Sequence, residues 1–248
     1  MTLQPSTAAK TGIFWTQFPA VSLTGSDGKP VDWSDHKAAH RAVSRMFPPK
    51  LPGAPGRRRA ESGILYRVDA LGPAGEPTVL VQSQVLPELT PVSHRTTEVS
   101  RRAWVVESGA RVAFRLAVNP VSRTTRYFTD ADKKSPADWS NQSGAAVPRG
   151  DGGRRVRAHA KRTERVVPVD QMGVWLADKL AGALGEVEIV NHFRDRSMSG
   201  LHLVVVDTFD GLATVEDPEA LQRLRMVGVG RAKSYGCGLL TLVRVGER

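Results

Sequence analysis

Residues Val227 to Leu242 read V-G-V-G-R-A-K-S-Y-G-C-G-L-L-T-L and place glycine on both sides of a short basic and polar segment, Arg231 to Tyr235. The enclosing glycines are Gly228, Gly230, Gly236 and Gly238. A loop this rich in glycine lets its backbone approach a ligand closely, and its N–H groups can point at an anion. Arg231 and Lys233 favour an anionic polymer as that ligand. The alternative is a tight turn that binds nothing.

The residues around this loop predict a helix before it and a strand after it. Asp217-Pro218 is typical of a helix start, because proline is favoured in the first helical turn. Leu221, Leu224 and Val227 give this helix an apolar face, and Gly228 is expected to form a left-handed cap at its end. The apolar run 239–243 predicts a buried strand. Walker and dinucleotide loops run from a strand into a helix, so this loop is neither.

Composition limits the class of protein. The chain has 248 residues, 40% of them hydrophobic, and a net charge of +10 with a pI of about 10.2. Such a charge predicts a polyanionic partner, most often a nucleic acid and less often a membrane surface. The one cysteine, Cys237, excludes an internal disulfide and fits a reducing cytoplasm. No apolar run approaches the about 20 residues of a membrane span, and the N-terminus lacks a signal-peptide pattern.

Hydrophobic periodicity predicts an α+β fold. In the first half it indicates a strand over 13–21, a helix over 35–47 and strands over 64–70 and 79–85, and it leaves 90–104 unassigned. The second half reads strand, helix, strand, strand, helix, strand. Its elements are a strand over 112–118, a helix over 170–184 stopped by Gly185, strands over 187–190 and 201–209, and the final helix and strand.

That order is the βαββαβ pattern of ferredoxin-like domains, which RNA-recognition motifs share. We therefore predict two tandem ferredoxin-like (RRM-like) domains, over residues 12–107 and 108–248. The aromatic signature with which RNA-recognition motifs stack bases on their sheet is absent from the candidate central strands. A basic cleft is the more consistent binding surface.

Basic residues cluster in two further segments. The stretch 154–165 carries only one acid, Glu164, and its cations are Arg154, Arg155, Arg157, Lys161, Arg162 and Arg165. Arg194 and Arg196 are expected at the tip of a hairpin between the strands over 187–190 and 201–209. Residues 126–153 are expected to form a long loop. These clusters predict contacts with a nucleic-acid backbone, although each arginine alone could be an ordinary solvated charge.

His40 is the candidate for proton transfer. It lies at the edge of the apolar half of the first predicted helix, next to a polar face with Lys37 and Arg41. An imidazole titrates near neutrality and can therefore give or take a proton. The alternative is an ordinary surface histidine. His36, four residues earlier, could share a metal with His40, but no third ligand is apparent and we predict no metal or other cofactor.

The sequence resembles the CasE family, the CRISPR repeat-processing endoribonucleases of type I-E Cascade complexes. The C-terminal stretch keeps the family pattern G-x-G-x-[A/G]-K-S-x-G-C-G-L-L-x-L nearly throughout. His40 stands seven residues before Phe47-Pro48, as the family's catalytic histidine does. Further agreements are I-L-Y-R-V-D from Ile64, V-L-V-Q-S-Q from Val79 and F-R-L-A-V-N-P from Phe114. Lys37 replaces a frequent family tyrosine, and the N-terminus is longer than usual.

The resemblance implies a metal-independent cytoplasmic endoribonuclease that cleaves precursor crRNA at the base of the repeat hairpin. A 2′-OH would attack the adjacent phosphorus and leave a 2′,3′-cyclic or 3′-phosphate and a 5′-OH. His40 would act as base or acid, Lys37 could substitute for the tyrosine by charge, and the glycine loop would hold phosphate. The partners would be CRISPR repeat RNA and other Cascade subunits. Two alternatives remain, a non-catalytic RNA-binding subunit and a DNA-binding or ribosome-associated basic protein.

Overall fold

The structure is a computed structural model that describes residues 13–56, 58–69, 76–92, 97–102, 106–127, 144–146, 157–199 and 202–246. Its helices are α1 (His36–Ser44), α2 (Arg58–Glu61), α3 (Met172–Leu180) and α4 (Pro218–Val227). Its strands are β1 (Ile13–Pro19), β2 (Leu65–Asp69), β3 (Thr78–Ser83), β4 (Glu98–Arg102), β5 (Arg111–Val118), β6 (Val121–Tyr127), β7 (Gly144–Ala146), β8 (Arg157–Val166), β9 (Leu184–Ser199), β10 (His202–Val215) and β11 (Leu240–Arg244). No helix in these ranges is long and apolar enough to cross a membrane.

The first sheet has the strand order β2-β3-β1-β4, and every neighbouring pair is antiparallel. Helix α1 begins because the Asp35 carboxylate accepts hydrogen bonds from the N–H groups of Lys37 and Ala38 at 2.8 and 3.2 Å. Its apolar residues then pack into the core beside this sheet. That core contains Phe18, Leu23, Ala39, Ala42, Val43, Met46, Phe47, Ile64, Tyr66, Val79, Val81 and Val92.

The second sheet has the order β11-β5-β10-β9, again with antiparallel neighbours. Counted within each set of four strands, both sheets follow the order 4-1-3-2 that a βαββαβ chain produces. Helix α4 begins at Asp217-Pro218 as expected, with the Asp217 carboxylate accepting from the N–H groups of Glu219 and Ala220. The predicted α+β class with tandem ferredoxin-like folds is confirmed.

Several predicted boundaries are wrong. The unassigned stretch 90–104 contains the edge strand β4, and the short helix α2 lies between the predicted helix 35–47 and strand 64–70, where the sequence predicts no element. Helix α3 ends at Leu180, because Gly182 follows with a φ of 76° and Leu184 already begins β9. Strand β11 is an edge strand rather than a buried one, so Val243 is exposed. The chain therefore turns earlier, and its second hairpin is longer, than local patterns indicate.

The buried face of helix α4 agrees only in part with the expected one. Val227 is exposed, whereas Leu221 and Arg225 are buried. The Arg225 guanidinium lies 5.7 Å from the centre of the Trp15 ring, and the Arg225 carbonyl accepts a hydrogen bond of 2.8 Å from the Gln82 amide. Arginine replaces an aliphatic side chain here because its stem packs while its cation meets an aromatic face.

Residues 120–169 form a compact unit of their own, separate from the unit that holds both four-stranded sheets. Within it β8 lies between β6 and β7. Most of the loop predicted over 126–153 lies outside the described residues. The division of the chain at residues 107 and 108 stays a prediction.

A buried arginine connects the two four-stranded sheets. Arg67 on β2 donates to both carboxylate oxygens of Asp69, at 2.8 and 3.1 Å. Its Nη1 also donates across to the second sheet, where the acceptors are the carbonyls of Arg115 and Leu239 and the hydroxyl of Thr241. Asp69 contacts Arg115 as well, at 3.4 Å. We call these four side chains, Arg67, Asp69, Arg115 and Thr241, the clasp.

Candidate active site

The glycine-rich loop folds back on itself. All four of its glycines have positive φ, as does Ala232 at 54°, and Lys233–Tyr235 form one turn of 3₁₀ helix. The N–H of Gly228 donates to Leu224, and the N–H of Gly238 donates to Ala117, each to a carbonyl oxygen. These two N–H groups are therefore not available to an anion, contrary to expectation. Gly228 also has a ψ of 153°, outside the left-handed helical region that a cap would occupy.

Helix α1 packs against the 3₁₀ turn of this loop. The clearest contact is between the rings of His36 and Tyr235, whose centres lie 5.6 Å apart. His36 is buried, and its Nε2 lies 2.6 Å from the Ser197 hydroxyl on β9. Burial lowers the pKa of His36, although Asp195 and Asp35 oppose this. His36 therefore links the first helix to the second sheet.

His40 lies on the same helix, partly exposed, with its Nδ1 atom buried and without a hydrogen-bond partner among the described residues. Its pKa is lowered first by burial and then by the positive charges of Arg59 and Arg41. A lowered pKa keeps the imidazole neutral at neutral pH, the form that accepts a proton. The surroundings of His40 thus suit a general base.

Arg59 and Tyr66 join the glycine loop to the first sheet. Arg59 Nη1 donates to the Ser234 hydroxyl at 2.9 Å, and the Tyr66 hydroxyl donates to the Ser234 carbonyl at 3.1 Å. Burial raises the pKa of Tyr66 well above its usual range, so its hydroxyl stays protonated as a donor. The hydroxyl and the carbonyl of Ser234 therefore both accept hydrogen bonds, and these bonds fix the turn that carries Lys233.

The predicted cations of this region differ in exposure. Lys37 and Arg231 are exposed, whereas Lys233 is half-buried and burial lowers its pKa. The packing of α1 against the 3₁₀ turn brings Lys233 and Ser234 to the helix that carries His40 and Lys37. Among the described residues, no group of three or more His, Cys, Asp or Glu could hold a metal.

The hairpin arginines are not at a tip, because β9 and β10 continue as paired strands through them. Arg194 is bound by the fully buried Asp207, at 2.7 Å from both Nε and Nη2. His192 Nε2 lies 3.0 Å from the same carboxylate. Arg194 therefore forms an internal ion pair, and its contact with RNA stays a prediction. Arg196 is exposed.

The basic segment 154–165 largely coincides with β8. Arg157, Lys161, Arg162 and Arg165 lie on this strand, opposite Ala146, Arg126, Thr125 and Ser122 respectively. Arg165 is exposed. Arg154 and Arg155 lie outside the described residues.

Cys237, within the glycine-rich loop, is a buried free thiol.

Sequence reasoning missed four residues of the site, Arg59, Tyr66, His36 and Ser197. Arg59 stood within a run of three arginines, R-R-R over 57–59, that resembled an ordinary basic loop. Tyr66 was counted as an alternating strand residue. The available signal was the Arg-rich run beside a strand, but nothing in the local sequence distinguishes Arg59, which is partly buried, from the exposed Arg58.

Known proteins resemble this chain over most of its length. Residues 20–244 match the family described as "CRISPR associated protein". The chain is 28% identical over 218 residues to "CRISPR system Cascade subunit CasE" of Escherichia coli (strain K12), a match that covers 85% of this chain and 93% of that protein.

Two solved structures share the fold. Cas6e from Escherichia coli superposes with a TM-score of 0.55 and 20% identity over 94% of this chain and 100% of that one. Thermus thermophilus Cse3, bound to an RNA representing a pre-cleavage complex, superposes with a TM-score of 0.58 and 21% identity over 94% and 99%.

Proposed function

Because the chain belongs to the family described as CRISPR-associated protein, and the predicted resemblance to the CasE family is confirmed, we propose that it is an endoribonuclease of precursor crRNA. It binds the repeat hairpin and cleaves at the hairpin base without a metal ion. The observation that carries the proposal is the packing of α1, with a neutral His40, against the turn that presents Lys233 and Ser234.

Cleavage proceeds by transfer within the RNA. The 2′-oxygen upstream of the cut attacks the adjacent phosphorus, so that the O2′–P bond forms while the P–O5′ bond breaks. The 2′-proton passes to His40, and the departing 5′-oxygen takes a proton from solvent water. The products carry a 2′,3′-cyclic phosphate, which can open to a 3′-phosphate, and a 5′-OH.

The residues divide this work between them. His40 acts as the base, because its lowered pKa keeps the imidazole neutral. Lys37 and Lys233 offset the negative charge that builds on the phosphorane. Positioning of the 2′-oxygen in line with the leaving oxygen supplies a large share of the acceleration, since orientation alone can be worth about 7–11 kcal/mol.

Backbone contacts along the hairpin come from exposed cations. Arg231, Arg196 and Arg165 are exposed. The other cations of segment 154–165 are included on the sequence pattern alone. A-form duplexes are recognised by shape and phosphate contacts rather than by base edges, so arginines suit a repeat hairpin. We further propose residues 12–107 and 108–248 as the two domains. After cleavage the protein retains its product and joins a Cascade complex.

The test is incubation with the repeat RNA of the neighbouring CRISPR array in excess EDTA, followed by analysis of the end groups. The wild type is expected to yield a cyclic or 3′-phosphate and a 5′-OH, and a 2′-deoxy sugar upstream of the cut should block cleavage. His40→Ala should abolish cleavage, with a fall of at least about 100-fold, and still bind the hairpin. Cleavage of the 2′-deoxy substrate would refute the nucleophile, and parallel loss of binding would refute the role of His40.

The second candidate is a non-catalytic RNA-binding subunit. It is favoured by Lys37 at the position of the family's frequent tyrosine, where a phenol would otherwise assist the histidine. The same incubation separates the two, because a binding subunit would retain the hairpin uncut.

A further inference from the structure

Arg59 carries hydrogen-bond donors that the described residues leave unused. Its Nη1 donates to Ser234, but its Nε and Nη2 atoms are buried and have no partner among the described residues. A buried donor without an acceptor is costly, and the cost is larger when the group is charged. The Nδ1 atom of His40 is unpartnered in the same way. Two unpaired polar groups thus occur together at the face where α1 meets the glycine turn.

The charge of Arg59 is unmatched as well. Burial lowers its pKa, and the one group that opposes this is Tyr66, whose own pKa is raised so that it stays a neutral phenol. No described ion pair involves Arg59. Within the described part of the chain, Arg59 is therefore a cation without a carboxylate partner.

Arg67 shows how this chain treats a buried arginine whose role is structural. Both carboxylate oxygens of Asp69 accept from it, and the remaining donors meet two carbonyls and a hydroxyl. Arg59, by contrast, has a single acceptor among the described residues, the Ser234 hydroxyl. A guanidinium that is oriented by one bond and otherwise unpaired is prepared for an anion that arrives with the substrate.

We propose that Arg59 is a catalytic residue that donates through its free N–H groups to a non-bridging oxygen of the scissile phosphate, beside His40. The inference deepens the proposed function and depends on it. Arg59 belongs to a four-residue helix whose other residues are exposed, so its side chain can follow the phosphate outward from Ser234. Entry of RNA thus replaces an unmatched buried charge by an ion pair with a fork of two donors.

Arg59 also acts on His40 through charge. The positive charges that act on His40 come from Arg41 on its own helix and from Arg59 on α2. Helix α1 also packs against the turn that carries Lys233 and Tyr235. Arg59 and Arg41 both lower the pKa of His40. Removal of the Arg59 charge should therefore raise that pKa, whereas lysine at this position should keep the charge but not the fork.

The experiment is single-turnover cleavage of the repeat hairpin across a pH series, with affinity measured on the uncleavable 2′-deoxy hairpin. Arg59→Met should slow cleavage by about 100-fold or more, as loss of one donor to a transition-state oxyanion does. Its acid limb should move to higher pH. Arg59→Lys should also be slow, since a bidentate site distinguishes the two cations, but with the wild-type pH midpoint.

Arg58→Met is the matched control. Arg58 is exposed on the same helix and carries the same charge, so its loss should change the rate by less than about 3-fold. A structural role for Arg59 would lower Tm and rate together without moving the pH midpoint, and that result would overturn the proposal. If Arg59→Met does not fold, Arg59→Lys decides, and wild-type cleavage by that variant would also overturn it.

The outcomes separate this inference from the proposed function. If the wild type cleaves and Arg59→Met cleaves within about 3-fold of it, the inference alone is refuted. If the wild type leaves the hairpin intact, the proposed function is refuted and the inference with it.

Discussion

Replacement of Arg67 by methionine tests whether the clasp holds the two sheets together. Methionine keeps most of the apolar stem and removes the guanidinium, which is 4% exposed. Asp69, 17% exposed, then keeps only its contact of 3.4 Å with Arg115 among the described residues. Removal of one partner from a buried ion pair typically costs about 3–5 kcal/mol. Because Asp69 keeps one contact and is partly exposed, we expect the loss of this ion pair to cost about 3 kcal/mol.

The carbonyls of Arg115 and Leu239 lose a donor in the same variant. Because they share a single Nη1 atom, and because a carbonyl can be rehydrated where the cavity opens, we add about 1 kcal/mol for the pair. The expected loss in the free energy of unfolding is therefore about 4 kcal/mol.

Urea unfolding of the full chain, followed by tryptophan fluorescence, measures this loss. The control is Arg223→Met, which removes an exposed ion pair with Glu219 and should cost no more than about 0.5 kcal/mol. A double-mutant cycle with Asp69→Asn should give a coupling of about 2 kcal/mol. A loss below about 1 kcal/mol for Arg67→Met, or a cycle without coupling, would contradict the reasoning.

Two further predictions concern stability. The pKa values of His36 and His40 are lowered in the folded state, so folding favours their neutral forms. Their contribution to the free energy of unfolding is therefore present above the unfolded pKa of about 6.5 and is lost as pH falls below it. Tm should therefore drop between about pH 7 and pH 5, and His36→Gln should make the drop shallower; an unchanged slope would count against burial as the cause. Gly238→Ala, at a φ of 89° with its new Cβ 2.8 Å from the Val229 carbonyl oxygen, should cost about 3 kcal/mol by thermal unfolding. Gly230→Ala, with open space around it, should cost about 1 kcal/mol, and equal losses would show that crowding at Gly238 is unimportant.

Local sequence patterns predicted most of the helices and strands of the two four-stranded sheets. The strands β1, β2, β3 and β5 and the helices α1 and α4 were predicted, because each has an apolar period or a capping residue within its own sequence. Strand β4, with the sequence E-V-S-R-R, was missed because it has no apolar alternation of its own. It is a strand because it pairs with β1. Edge strands that contact one neighbour need little hydrophobic alternation, so their sequences resemble loops.

The site was predicted in part, and the reason is sequence distance. His40 and the glycine loop each have a local signature, so both could be named. Arg59 and Ser234 are 175 positions apart, and His36 and Ser197 are 161 apart, so neither contact has a signal in one sequence. Arg194 differs, because its ion-pair partner is close to it in the sequence. Its basic neighbourhood indicated RNA, but Asp207, 13 residues later on the paired strand, takes its charge.

The origin of the site residues explains why the clasp bears on cleavage. His40, Arg59 and Tyr66 come from elements around the first sheet, whereas Lys233 and Ser234 come from the turn that leads into the second. Leu239, whose carbonyl Arg67 holds, lies only five residues after Ser234. A shift of the second sheet would therefore move Ser234 away from Arg59 and Tyr66 before it disturbed either core. In-line attack depends on sub-ångström placement, so a loosened clasp should reduce the single-turnover rate even in molecules that remain folded.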